Sequence, residues 1–247
     1  MYKPNADTKF PMDESTTPLK ETAGQYLFDQ YATSLELPYV SFRPQYIYGK
    51  KANKFDYIDW FFDRLVKGLP LPIPGDGKQL VSLTNSEDVA SLLTSVLNDE
   101  QAAIQTKFFN CGTDKLISYN DLAYLCADIA DIPREEIHIE NYDIDLFGKA
   151  NFPFRTTNFY VSPTLAQDKL KWPGAENTLQ EDLKWYYKSY VEDRDGPNKK
   201  LDLGKDWEIC VGSKSSFEVA SVYEDYDPVV IDYSNAKPLK FEPEPTD

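Results

Sequence analysis

Apolar and aromatic positions recur along the chain at helical and at extended spacings, and the elements follow from that alternation. Ala23, Tyr26, Leu27, Tyr31 and Leu35 predict a helix over 23–35 that packs on one face. Residues 39–49 read as a buried strand, because Val40, Phe42, Tyr46 and Ile47 suit a pleated surface. Pro44 cannot donate to a ladder, so it marks the end of that strand, a bulge or an edge. Gly49 turns the chain, and function is expected near this turn, since ligands of open α/β sheets bind beyond the carboxyl ends of strands. Ile58, Phe61, Phe62, Leu65 and Val66 define a second one-sided helix, stopped at Gly68 and Pro70.

Residues 71–77 are extended and then turn tightly at Gly75-Asp76-Gly77, and Leu80 to Thr84 is a short strand. Asn85 and Ser86 cap a helix with Glu87 and Asp88 in its first turn and a stripe of Val89, Leu92, Leu93, Val96 and Leu97. A strand over 108–112 follows, then a helix capped by Ser118 that carries Leu122, Leu125, Cys126 and Ile129. Ile137 to Ile139 is a short strand, Ser162-Pro163 opens a helix, and Thr178 with Glu181 forms a capping box for another that runs through Leu183, Tyr187 and Tyr190.

Composition adds three restrictions. At 247 residues and 41% hydrophobic content a sizeable core is affordable in one large domain or one domain with an appendage. The second is expected: residues 1–194 form the domain, and 195–247 form an acidic, proline-punctuated extension with six lysines against twelve Asp and Glu. Val219 to Tyr223 and Val229 to Ile231 are pieces of it able to dock on the domain or on a protein partner. A net charge of -15 repels polyanions at long range, so any nucleic-acid contact must be a local patch. Cys111, Cys126 and Cys210 are widely spaced, which indicates neither a disulfide framework nor a zinc site and favours a reducing compartment. No apolar run is long enough to span a bilayer, and no targeting peptide is visible. The proline-rich polar opening to Pro18 leaves open whether Met1 is the true start or an internal methionine of a longer protein.

The order Ser41 to Gly49, Pro72 to Gly77, then Asn85 to Ala90 resembles the carboxyl-terminal half of an extended short-chain dehydrogenase/reductase of the nucleotide-sugar epimerase type. More closely, Phe42 to Tyr48, Asp59 to Arg64, Phe109 to Cys111 and Phe154 to Tyr160 look like the chloroplast stem-loop-binding protein family, over residues 1 to about 192. The resemblance implies an α/β fold: the distal part of an extended Rossmann-type domain with its small substrate-type subdomain. The glycine-rich loop that cradles a dinucleotide is not found in these 247 residues. Aligned through Asp29, the superfamily's Tyr-x-x-x-Lys pair falls on Glu21 and Gln25, and neither can replace a tuned phenol or lower a neighbour's pKa. The position of the arginine that holds the sugar-nucleotide phosphate is occupied by Val81. No cofactor is expected for this chain, with NAD(P) entering only if a longer product supplies the other half.

The remaining candidates each have a plainer reading. Arg43 in an apolar strand must be paired in a salt bridge or face a site. Lys50, Lys51 and Lys54 are either a solvated loop or the best local patch for phosphate. Arg155 with Phe159 and Tyr160 offers guanidinium and aromatic faces for single-stranded bases, or is a buried aromatic cluster with one arginine packed over it. Asp76, Glu87 and Asp88 could hold a divalent metal for phosphodiester cleavage, against the commoner roles of a turn residue and helix-start acids. His138, the only histidine, sits in a strand-like alternation and is not read as a ligand or base. The resulting expectation is a plastid-type stem-loop RNA-binding protein with oxidoreductase activity lost and at most weak endoribonuclease activity. The alternatives are an epimerase-like protein completed by a dinucleotide half, and a structural subunit docking through its acidic tail.

Overall fold

In the computed structural model, residues 2–16, 20–149, 152–204, 206 and 209 are described. Cys210 and the two apolar pieces at 219–223 and 229–231 lie outside them. The elements, in order, are α1 (Gly24–Ser34), β1 (Ser41–Pro44), β2 (Ile47–Tyr48), α2 (Asp56–Leu65), β3 (Leu71–Pro74), β4 (Leu80–Val81), β5 (Thr84–Asn85), α3 (Ser86–Thr94), α4 (Glu100–Thr106), β6 (Phe108–Cys111), β7 (Ile117–Ser118), α5 (Tyr119–Ile129), β8 (Ile139–Tyr142), α6 (Thr164–Leu170) and α7 (Leu179–Glu192), joined by short 3₁₀ turns. The fold is α/β, and the three strand pairs β1–β6, β2–β5 and β3–β8 are all parallel. The chain divides into two units. The first holds 1–54, 80–117 and 157–181, and the second 55–79, 118–156 and 182–247.

The first unit is built on the β1–β6 pair, in register from Ser41 opposite Phe108 to Pro44 opposite Cys111. Phe109, Cys111, Leu92, Ala166, Leu170 and Trp172 form its core, and Phe42 and Val40 pack against it. Asn85 accepts from the Glu87 amide at 2.8 Å and caps α3 as its sequence predicts. The extended run of 39–49 is two strands rather than one. Pro44 ends the first ladder, and Tyr46 enters the left-handed region at φ 36° before β2 begins.

Two faces differ from the periodicity. On α1 the buried residues are Asp29 and Ala32, whereas Leu27, Tyr31 and Leu35 stay between 50% and 64% exposed. The helix is therefore placed by an ion pair from Asp29, and its apolar stripe looks away from the unit's own core. On α3, Leu92 is buried while Leu93, on the helix's outer side, is exposed, and Leu97 is exposed in the 3₁₀ turn that follows the end of α3 at Thr94.

In the second unit α2 is buried almost all round rather than on one side. Its polar residues Asp59, Asp63 and Arg64 are as enclosed as Phe61 and Phe62. Each has a partner. Asp59 accepts from Tyr186 at 2.8 Å and from Arg194 at 3.0 Å, and Asp63 from Tyr190 at 3.0 Å and Lys199 at 2.8 Å. Arg64 holds both carboxylate oxygens of Asp206, donating to Oδ2 from Nη2 at 2.7 Å and from Nε at 2.9 Å and to Oδ1 from Nη2 at 3.0 Å, with its guanidinium 3.9 Å from the Trp60 ring centre. Phe62 sits among the rings of Tyr186, Tyr187 and Tyr190.

Candidate functional site

Strand β1 carries Arg43 inward, with only 9% of its side chain exposed. Its guanidinium donates from Nη2 to Asp29 at 3.4 Å and from Nη1 to the Tyr2 hydroxyl at 3.2 Å, and it lies 4.6 Å from the Phe108 ring centre. Tyr2 passes the network on, donating to Asn110 Oδ1 at 2.8 Å, and the Asn110 amide donates to Glu14 at 2.6 Å. Burial raises the Tyr2 phenol above its usual range, against the lowering effect of Arg43, and raises the Glu14 carboxyl, against the hydrogen bond from Asn110. Arg43 Nε, enclosed, meets no acceptor among the described residues. The arginine thus acts as an internal brace between α1 and β1, with its charge offset by Asp29.

Beside it runs a groove of about 610 Å³, lined by Gly24, Gln25, Phe28 and Asp29 of α1 and by all four residues of β1. Gln25 is an exposed residue on this rim, and Glu21 is exposed in a turn ahead of α1.

A cluster of exposed lysines in the first unit lies past β2. The Ala52 amide donates to the Gly49 carbonyl at 3.1 Å, closing a β-turn with Lys50 and Lys51 at its corners, and Lys54 follows, all three exposed. Gly49 is required there. A Cβ on it would stand 2.0 Å from Ser86 Oγ, so the turn is seated against the first residue of α3. Glu87 is exposed on that same first helical turn.

Arg155 is exposed and belongs to the second unit, whereas Phe159 and Tyr160 belong to the first. Phe159 is only 9% exposed, bridged to Val81 and set edge-on to Tyr46 at 5.8 Å. Tyr160, half-buried, packs 5.0 Å from Phe10. Asp76 accepts the Lys78 amide at 3.1 Å inside its glycine turn. Asp88 is buried, and its Oδ1 accepts from the Glu176 amide at 2.9 Å and from Asn177 Nδ2 at 3.0 Å, so that oxygen serves a loop. Among the described residues, no group of three or more His, Cys, Asp or Glu is placed to hold a metal ion. Cys111 is fully buried, its thiol pushed up to about 12 by burial and by the nearby Asp88 charge, and Cys126 is raised well above its usual value by burial.

Sequence reasoning missed four contributors. Tyr2 stands in a proline-rich stretch with no period, yet it is 3% exposed and bonded to Arg43. Gln45, ahead of β2, and Thr84, in β5, are buried, with Gln45 Nε2 and Thr84 Oγ1 meeting no partner among the described residues. The left-handed Tyr46 separates β1 from β2, and a tyrosine carries no signal for that backbone state.

Residues 11–112 match the NAD dependent epimerase/dehydratase family. Solved structures agree in fold. An epimerase from Methanothermobacter thermautotrophicus superposes with a TM-score of 0.59 at 20% identity, over 78% of this chain and 57% of its own. The RMD protein of Pseudomonas aeruginosa, solved with NADPH, gives 0.56 at 18% identity, over 78% and 64%. The chain therefore has the Rossmann-type α/β fold of these epimerases and reductases. Among curated proteins it is similar to the chloroplast stem-loop binding protein of 41 kDa b of Arabidopsis thaliana, 32% identical over 161 residues, which are 65% of this chain and 42% of that protein. The chain thus spans less than half the length of that relative. No described helix is long and apolar enough to cross a membrane.

Proposed function

We propose that this chain is a plastid stem-loop RNA-binding protein in which an epimerase-type fold has been turned from hydride chemistry to phosphate contact. The observation that carries the reading is the seated β-turn Gly49–Ala52, which presents Lys50 and Lys51, with Lys54 behind them, on a strongly acidic chain. Support also comes from the Arabidopsis relative, whose name describes stem-loop binding in the chloroplast. Glu21 and Gln25 at the proton-transfer positions speak against oxidoreductase turnover by these residues. Arg43 organises the wall behind the turn, and Arg155, exposed on the second unit, is a further phosphate contact. Phe159 and Tyr160 support the first unit's packing, so base stacking is not assigned to them.

A salt titration of binding to a stem-loop RNA tests this. Replacing Lys50, Lys51 and Lys54 together by alanine is expected to reduce the slope of log K against log salt by about 2 to 3, in proportion to the phosphate contacts removed. Unchanged slope and affinity, or no binding by the parent chain at low salt, overturns the reading. The family match at 11–112 keeps one alternative in view, an NAD(P)-dependent nucleotide-sugar enzyme completed by further polypeptide. NAD(P) retained by a longer product of the same locus, with turnover of a nucleotide sugar, establishes that instead.

A further inference from the structure

We infer that the first unit binds one internal water molecule between Gln45, Ser82 and Thr84, and that this water ties the junction of β1 and β2 to the segment entering β5. The three side chains are polar, uncharged and enclosed, at 5%, 0% and 1% exposure. Ser82 Oγ donates to Gln45 Oε1 at 3.1 Å, which orients the amide. Gln45 Nε2 and Thr84 Oγ1 are shut off from bulk solvent and meet no partner among the described residues. Folded interiors leave very few such groups unanswered, because a buried donor or acceptor without a bond has given up its hydration and replaced it with nothing.

The backbone brings these groups to one place. Ser82 and Thr84 are two residues apart where the chain runs from β4 into β5, so their side chains share one side of an extended segment, about 6.5 Å apart at the Cα atoms. Gln45 reaches the first of them directly. Thr84 is tied to the same junction, since its amide donates to the Tyr46 carbonyl at 3.2 Å and it stands opposite Ile47 in the parallel pair. Tyr46, between Gln45 and Ile47, lies in the left-handed region at φ 36°, a state that a tyrosine keeps where surrounding bonds over-determine it. The backbone bond to Thr84 is one such link, and the water supplies a second through side chains.

Water fits this group better than an ion does. None of the three side chains is charged, so an ion among them would be buried without a counter-charge. Turning the amide over exchanges an unanswered N–H for an unanswered carbonyl, while the threonine hydroxyl both donates and accepts. Chloride takes donors alone and a cation takes acceptors alone. Water answers either orientation of the amide and the hydroxyl beside it.

A crystal structure of the full chain tests the assignment: one ordered water within about 3.2 Å of both the Gln45 amide and Thr84 Oγ1 is expected. Absence of a water bridging the two groups, or bromide taking its place in a soaked crystal, overturns it. Urea unfolding gives an independent, signed readout. Thr84→Val keeps the shape of the side chain and removes one partner of the water, so its midpoint is expected to fall, and Gln45→Met is expected to lower it likewise. The double variant, which removes both partners and the water together, is expected to lose clearly less than the sum of the two single losses. A raised midpoint in Thr84→Val would mean a hydroxyl with nothing bound to it, and strictly additive losses would mean two groups that share no water. Either result overturns the proposal. RNA binding enters none of these readouts, so the outcome is separate from that of the lysine turn.

Discussion

Helices α1 and α2 invert each other. On α2 the polar residues Asp59, Asp63 and Arg64 are buried, and on α1 the apolar residues Leu27, Phe28, Tyr31 and Leu35 are exposed. The difference is what lies over each helix within its own unit. Tyr186 and Tyr190 of α7, with Arg194, Lys199 and Asp206 after it, supply a partner for every buried charge on α2. Nothing described in the first unit supplies an apolar partner for the outer stripe of α1. A buried charge is tolerated only where it is paired, whereas an exposed leucine is tolerated anywhere at a small cost, so the two inversions differ in consequence. The α2 arrangement holds the second unit together, and the α1 stripe is free to serve something else.

The largest effect is therefore expected on the α2 side. Asp206→Ala leaves Arg64, whose side chain is 4% exposed, without its bidentate partner, and the expected loss is about 3–5 kcal/mol, read as a shifted urea midpoint. A loss below about 1 kcal/mol would show that residues after 196 do not brace α2 and would remove the contrast with α1.

A smaller, signed effect follows from the same carboxylates. Burial raises Asp59 and Asp206 above their ordinary value of 3.8, outweighing the attraction of Arg194 and Arg64. Just above that value the folded chain retains protons that the unfolded chain has released. Their contribution to stability is then most favourable at low pH and declines as pH rises through that window. Asp206→Asn removes one of the two titrations, so as pH rises above the ordinary value of 3.8 its stability profile should fall less steeply than the parent's. An unchanged slope would place the pairing energy with Arg64 level with the cost of burial.

Much of this was legible in the sequence because it is local. The Asn85 cap, the Gly75-Asp76-Gly77 turn and the strand at Phe108 to Cys111 need only neighbouring residues, and so does the break at Pro44. The Arg-Pro strand and the order of motifs after it also pointed to the epimerase-type fold, now matched over residues 11–112. What was not legible depends on distant partners. Arg43 had to be paired or presented, but nothing in the chain nominated Tyr2, 41 positions away, as the hydroxyl it reaches. The periodicity of α1 gave its stripe correctly as one face and could not say that the face turned inward would be Asp29 and Ala32. Lys50 and Lys51 were visible as charge, while their place at the corners of a turn seated on Ser86 required the fold.

The smallest expected effect sharpens the comparison most. Phe28→Ser removes a ring that is 62% exposed, leaves no cavity and strips no hydrogen bond, so the chain alone should keep its unfolding free energy within about 0.5 kcal/mol. Serine has a lower helix propensity than alanine and a polar tip, and on a solvated face these terms stay within that margin. Thermal and urea unfolding of the purified chain check it. If the ring already packs on something in the chain, its loss will cost the 3–5 kcal/mol of a buried phenylalanine. Near-neutrality would mean that the most apolar face of the first unit contributes nothing to its own stability, which is the condition under which such a face is retained for a partner rather than for the fold.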